Sequence, residues 1–183
     1  SVIWKQSGQK ILGDGPGDTF GHAVSLSTAD GKTLVVGAPG RPANSRDDVS
    51  FDREGYVKVY HQNEYNGTVN WPQVGQTLVG QNPGDMLGTS ISTSKEGKII
   101  AVGAPGYSRP NNDTTQGYVR VYNMAGARDN ITWEQVGQNI TGVEYDDQFG
   151  YAIDLSPDGS ILAVGANGHD ANGLDSGRVK VYS

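Results

Sequence analysis

The sequence repeats itself three times. Trp4-Lys5-Gln6-Ser7-Gly8-Gln9 returns as Trp71-Pro72-Gln73-Val74-Gly75-Gln76 and as Trp133-Glu134-Gln135-Val136-Gly137-Gln138, at spacings of 67 and 62 residues, and these copies hold all three tryptophans of the chain. The same landmarks follow each copy in the same order. They are Gly13/Gly80/Gly142, Asp18/Asp85/Asp147, then Phe20-Gly21, Leu87-Gly88 and Phe149-Gly150. After these come a turn glycine (Gly31, Gly97, Gly159) and Gly37-Ala38-Pro39, Gly103-Ala104-Pro105 or Gly165-Ala166-Asn167. Each unit closes on Val57-Lys58-Val59-Tyr60, Val119-Arg120-Val121-Tyr122 or Val179-Lys180-Val181-Tyr182. A period of this length is the mark of one supersecondary unit stacked on copies of itself, which buries a continuous core only by stacking.

Within a unit the pattern predicts four strands. Phe20 to Leu26 alternates apolar and polar side chains, as a half-buried strand does. Asp30-Gly31 and Asp158-Gly159 supply the chemistry of a tight hairpin turn. The second strand, 33–37, 99–103 or 161–165, is apolar nearly throughout, so both of its faces must be covered and it is central. A connection of variable length leads to the third strand, 56–60 and its counterparts. The Trp-Gln-Gly strand comes last, and Pro72 inside it points to a sheet edge. The expected fold is all-β, with β-propeller blades of four antiparallel strands; a β-trefoil is the alternative. The expected organisation is a single repeat domain over 1–183: an outer closing strand at 4–17, blades at 18–80 and 81–142, and a third blade at 143–183 completed by the N-terminal strand. Closed propellers have about four to eight blades. Self-association, or membership of a longer propeller, is therefore expected.

Glycine, at 27 residues, suits many short strands joined by tight turns. Net charge is −6 and Lys and Arg form no cluster, which argues against nucleic acid as a partner. No apolar run approaches the ~20 residues that a membrane-spanning helix needs. Cysteine is absent, so disulfides and thiolate metal sites are excluded. Asn66, Asn112, Asn130 and Asn139 head Asn-x-Ser/Thr glycosylation sequons. The content of Asn, Ser and Thr gives roughly 1.6 such triplets by chance. The excess points to an extracellular or cell-surface origin.

Phe20-Gly21 followed by Gly37-Ala38-Pro39 resembles the FG-GAP repeat, the blade motif of the integrin α-subunit propeller and of many secreted and cell-surface proteins. The second copy varies to Leu87-Gly88 with Gly103-Ala104-Pro105, and the third to Phe149-Gly150 with Gly165-Ala166-Asn167. The resemblance implies a propeller module that binds protein or glycan. It also implies a calcium loop, Asp-x-Asp-x-Asp-Gly, between the first and second strands, and here the chain departs from it. Thr28-Ala29-Asp30-Gly31, Ser94-Lys95-Glu96-Gly97 and Ser156-Pro157-Asp158-Gly159 are too short and too poor in carboxylates for calcium's six to eight oxygens.

Asp170, Asn172 and Asp175 form the one local set that could hold calcium, although Asp and Asn equally build ordinary turns. The recurring Asp18, Asp85 and Asp147 are either a repeated binding site or acceptors that fix a turn. The recurring Trp is either a sugar platform or packing. Catalysis has little support: His22, His61 and His169 fall at non-equivalent places and no Gly-x-Ser-x-Gly elbow occurs. The expected function is a binding or structural module and not an enzyme, with a lectin-like or hydrolytic propeller acting on polysaccharide as the alternative. The expected ligand-binding residues lie on the connections that differ most between copies: Arg41, Arg46, Asp47, Asp48, Phe51, Tyr107, Arg109, Asn111 and Asp113.

Overall fold

A computed structural model describes residues 3–40, 54–106, 116–127 and 130–183. The first unit contains β1 (Ala23–Leu26), β2 (Thr33–Ala38), β3 (Tyr56–His61), β4 (Asn63–Tyr65), β5 (Thr68–Asn70) and β6 (Leu78–Val79). The second contains β7 (Ser90–Thr93), β8 (Ile99–Ala104), β9 (Tyr118–Ala125), β10 (Thr132–Gln135) and β11 (Ile140–Thr141). The third contains β12 (Phe149–Leu155), β13 (Leu162–Ala166) and β14 (Arg178–Tyr182). All strand pairings within the sheets are antiparallel.

The three main sheets run in sequence order: β1-β2-β3-β6, then β7-β8-β9-β10 with β11 also on β9, then β12-β13-β14. None closes on itself. The central strands are those with apolar residues on both faces, and β2 and β8 are the most deeply buried. Residues 4–12 form no strand and do not complete the third sheet, in which β14 pairs only with β13. The expected closure within one chain is therefore not made. The first outer strand is also shorter than expected. Pro72 offers no N–H, and pairing is reduced to a Tyr60–Gln73 bridge and β6.

The core lies between the sheets and not inside any one of them. Ile100 and Val102 on β8 join Val35, Val57 and Val59 of the first unit in one cluster. Ala101, between them in sequence, turns the other way and joins Phe149, Leu162 and Val164 of the third unit. The two-residue period of a strand thus assigns alternate side chains of β8 to opposite neighbours. Full burial of each large aliphatic side chain contributes about 1.5–3 kcal/mol, and here only stacking supplies it.

Glycine lets the sheets approach. A methyl on Gly37 would overlap the Gly88 carbonyl oxygen of the next unit, and one on Gly103 would overlap that of Gly150. The turn that sets up this approach is itself repeated. Thr19, Met86 and Gln148 take φ of 53°, 58° and 53°, and the glycine two residues on takes 90°, 96° and 92°. Serine pins each first hairpin: the Ser27, Ser94 and Ser156 hydroxyls accept the Thr33, Ile99 and Ile161 amides at 3.0, 3.0 and 2.9 Å.

Candidate functional site

The recurring acid closes the turn that enters each unit. In the first, Asp18 Oδ2 accepts the Gly15 amide at 2.7 Å and the Tyr56 hydroxyl at 2.9 Å. In the second, Asp85 Oδ2 accepts the Gln81 and Asn82 amides, both at 2.9 Å, and the Tyr118 hydroxyl at 2.7 Å. Burial, together with these carboxylates, pushes the Tyr56 hydroxyl up to about 12 and raises that of Tyr118 as well. Both phenols remain donors at neutral pH. Of the two readings of the acid, turn fixation accounts for these contacts.

The third unit answers the same need with different residues. Arg178 stands where Tyr56 and Tyr118 stand, and its Nη2 meets Asp147 Oδ2 at 2.9 Å. His169 Nδ1 meets Asp147 Oδ1 at 2.8 Å. Both the acid and the imidazole are buried, at 2% and 4% exposure. Glu144 lies close enough that one ligand atom each from Glu144, Asp147 and His169 falls within 4.8 Å of the others. The Arg178 guanidinium already neutralises this acid, so a cation would have to displace it or sit beside a fixed positive charge. The cluster is built as an ion pair that holds a turn.

Asp170, Asn172 and Asp175 also belong to a turn. Asp170 Oδ1 accepts the Asp175 amide at 2.7 Å, its carbonyl accepts the Gly173 amide at 3.0 Å, and the Asn172 amide donates to Ser176 Oγ at 3.2 Å. Only the first of these is an Asp side-chain-to-backbone bond; the others are a backbone turn bond and a bond to a serine hydroxyl, and together they shape the loop.

The tryptophans pack. Trp133 is 3% exposed, donates Nε1–H to the Val74 carbonyl at 3.1 Å and lies on Gly75, whose φ is 74°. Trp71 repeats this arrangement on Gly8, with Nε1–H donated to the Ser7 carbonyl at 3.2 Å. Trp4 is the exception, at 93% exposure.

Arg41, Arg46, Asp47, Asp48, Phe51, Tyr107, Arg109, Asn111 and Asp113 lie outside the described residues, as does Asn112. Their segments join β2 to β3 and β8 to β9, as residues 167–177 join β13 to β14. All three therefore leave the same end of their sheets. At that end a groove of about 340 Å³ lies between the second and third units, lined by Met86, Pro105, Gly106, Asp146, Gln148 and Tyr151 among others. The sequence did not mark it as a groove: Met86, Gln148 and Pro105 are recurring positions, but its walls come from two units and meet only through the fold. Asn66 and Asn130 are exposed. Asn139 is not a free side chain: its Oδ1 accepts from Arg120 and Gln135, and its Nδ2 donates to Gln81 at 3.0 Å.

Residues 142–182, which make up the third unit, match the family model of the FG-GAP repeat. The chain thus contains an FG-GAP repeat, in the unit whose Asp147, Phe149-Gly150 and Gly165-Ala166 answer the landmarks of the other two. No curated protein matches the chain.

Proposed function

We propose that the chain is an extracellular or cell-surface binding module of the FG-GAP propeller type, which meets a protein or a glycan through the ends of its stacked sheets. One observation carries this reading. The residues that recur in the described units are engaged in turns and in joints between sheets, whereas the segments that differ between copies leave the sheets together, beside the groove of Asp146 and Tyr151. A rigid repeat scaffold with variable connections on one end is the arrangement by which such proteins vary what they bind. FG-GAP repeats are typical of extracellular and cell-surface proteins, and the excess of sequons agrees with that setting.

A glycan array, a panel of immobilised cell-surface proteins and a panel of chromogenic glycosides test the reading together. Saturable binding without turnover is expected. Replacing 41–53 and 107–115 by Gly-Ser segments, or Tyr151 by Ala, should weaken it at least tenfold. Turnover of any glycoside would replace this reading with a hydrolytic one.

A further inference from the structure

We infer that the groove between the second and third units is a carbohydrate subsite, in which a neutral sugar ring lies on Tyr151 and donates hydroxyl hydrogens to Asp146. The inference rests on the binding-module reading and narrows its ligand from a protein or a glycan to a glycan.

The turn that enters the third unit departs from the other two where it meets the groove. Gly15-Pro16-Gly17 and Asn82-Pro83-Gly84 become Glu144-Tyr145-Asp146. The last residue of each triplet has positive φ, 80° at Gly17, 90° at Gly84 and 68° at Asp146. Glycine takes that conformation freely, whereas a side chain there is strained, and strain of this kind collects at ligand sites. The exchange gives the groove wall an acidic residue. Asp146 is exposed, and no hydrogen bond or ion pair holds its carboxylate among the described residues. The acid beside it, Asp147, is buried and engaged by His169 and Arg178. The turn thus has one acid that holds the fold and one left for a ligand.

Tyr151 is 50% exposed. Its counterparts His22 and Thr89 belong to units that do have a following neighbour, and they are exposed and half-buried. The exposure therefore belongs to this position of the repeat and does not come from its being in the last unit. Only the third unit places a phenol ring there. Short bonds fix the walls: the Tyr151 amide donates to the Gln148 carbonyl at 3.0 Å, and the Thr89 hydroxyl to the Met86 carbonyl at 2.8 Å. A methyl on Gly168 would overlap the Asp146 carbonyl oxygen, so the connection after β13 backs the turn closely. A site formed in advance costs little ordering when a ligand arrives.

The lining selects the ligand. No Lys, Arg or His lines the groove among the described residues, and Asp146 would repel an anion. An ammonium group would match Asp146 but carries only donors, which leaves the Gln148 amide nitrogen without an acceptor. A sugar ring has an apolar C–H face and a rim of hydroxyls that both donate and accept. The negative face of the Tyr151 ring suits the first, while the acceptor-only Asp146 and the two-way Gln148 suit the second. At about 340 Å³ the groove lies at the small end of ligand sites, roughly 300–1,000 Å³. It suits a short stretch of a sugar chain better than a protein surface, which would cover about 800 Å².

Isothermal titration of the 183-residue chain with neutral oligosaccharides of glucose, galactose, mannose and xylose units tests the inference, beside the protein panel above. At least one oligosaccharide should bind saturably. Asp146→Gly restores the residue of the other two turns, so the fold should be kept while binding falls about tenfold or more. Tyr151→Ala should act likewise, whereas Tyr151→Phe, which keeps the ring face, should stay within about threefold. Tyr65→Ala, at an exposed tyrosine of the β4–β5 hairpin, should change nothing. Sugar binding that survives both Asp146→Gly and Tyr151→Ala would overturn the inference and leave the binding-module reading standing. So would a chain that binds proteins or basic peptides but no oligosaccharide. A chain that binds nothing in any panel would overturn both.

Discussion

Gln76 clamps both backbone groups of Trp133: its amide nitrogen donates to the Trp133 carbonyl at 2.6 Å, and its oxygen accepts the Trp133 N–H at 3.1 Å. Gln9 and Trp71 repeat the clamp at 2.9 and 3.0 Å. A two-point clamp from one outer segment to the next explains why Trp and Gln recur together: the indole packs on the glycine while the glutamine fixes its backbone.

Truncating the tryptophans should therefore give graded losses of stability. Trp133→Ala is expected to cost about 3–5 kcal/mol, as for other buried aromatics. Trp71→Ala should cost less, since Trp71 is only partly buried, and Trp4→Ala close to nothing in the single chain. Urea unfolding at submicromolar concentration reads the order.

Gly75→Ala and Gly137→Ala separate backbone strain from the indole contact. Both glycines have positive φ, 74° and 67°, which costs an L-residue about 1–2 kcal/mol. A Cβ on Gly75 would also stand 2.6 Å from Trp133 Cδ1, whereas one on Gly137 would meet nothing. Gly75→Ala should be the more damaging by at least ~1 kcal/mol, the cost of displacing a packed ring.

Alkaline pH should loosen the turns at Asp18 and Asp85. The folded-state pKa of Tyr56 lies at about 12 against an ordinary 10.0, and that of Tyr118 is raised too. The neutral phenol is the form the fold prefers. This stability is fully present below pH 10 and is lost as pH rises through the folded value. Urea midpoints should be flat from neutrality to about pH 9.5 and fall above it. In the double variant Tyr56→Phe, Tyr118→Phe the fall should be smaller, with a loss at neutral pH of about 1.5–3 kcal/mol per charge-assisted bond removed.

Glycan mapping of native material should find Asn66 modified and Asn139 bare. Asn66 sits at the exposed tip of the β4–β5 hairpin with φ of 51°, while the Asn139 amide nitrogen is engaged with Gln81. A modified Asn139 would mean that the Arg120–Asn139–Gln81 network does not form.

Much of this was legible in the sequence because repetition separates signal from accident. The landmark series located the first three strands of each unit to within a few residues, but the outer strand they marked is a strand only at Trp133, a single bridge near Trp71 and absent at Trp4; the apolar second strand identified itself as central, and Pro72 marked an edge. Asn66-Gly67 is a strong hairpin signal, yet as part of a sequon it concealed β4–β5. Ser27, Ser94 and Ser156 recur too, but serine is common in turns and only the bonds to 33, 99 and 161 give these three a role. The exchange of tyrosine for Arg178 and His169 around Asp147 was not readable, since His169 is distant in sequence and joins the acid only through the fold. The groove at Asp146 and Tyr151 has walls from two units, which meet only through the fold.

The central claim is that the recurring glycines are joints between stacked sheets, and three matched substitutions test it most directly. Gly37→Ala, Gly103→Ala and Gly165→Ala place the same methyl at the same position of the second strand in each unit. At submicromolar concentration, urea unfolding should show the first two destabilised by about 3 kcal/mol, Gly37→Ala through overlap with the next unit's carbonyl and Gly103→Ala through the same overlap together with one on Ser90 Oγ of its own sheet, which makes Gly37 the cleaner of the two. The third should stay within about 0.5 kcal/mol of the unchanged chain. Equal effects at all three positions would contradict the account, because the glycines would then serve their own sheets and not the contact between them.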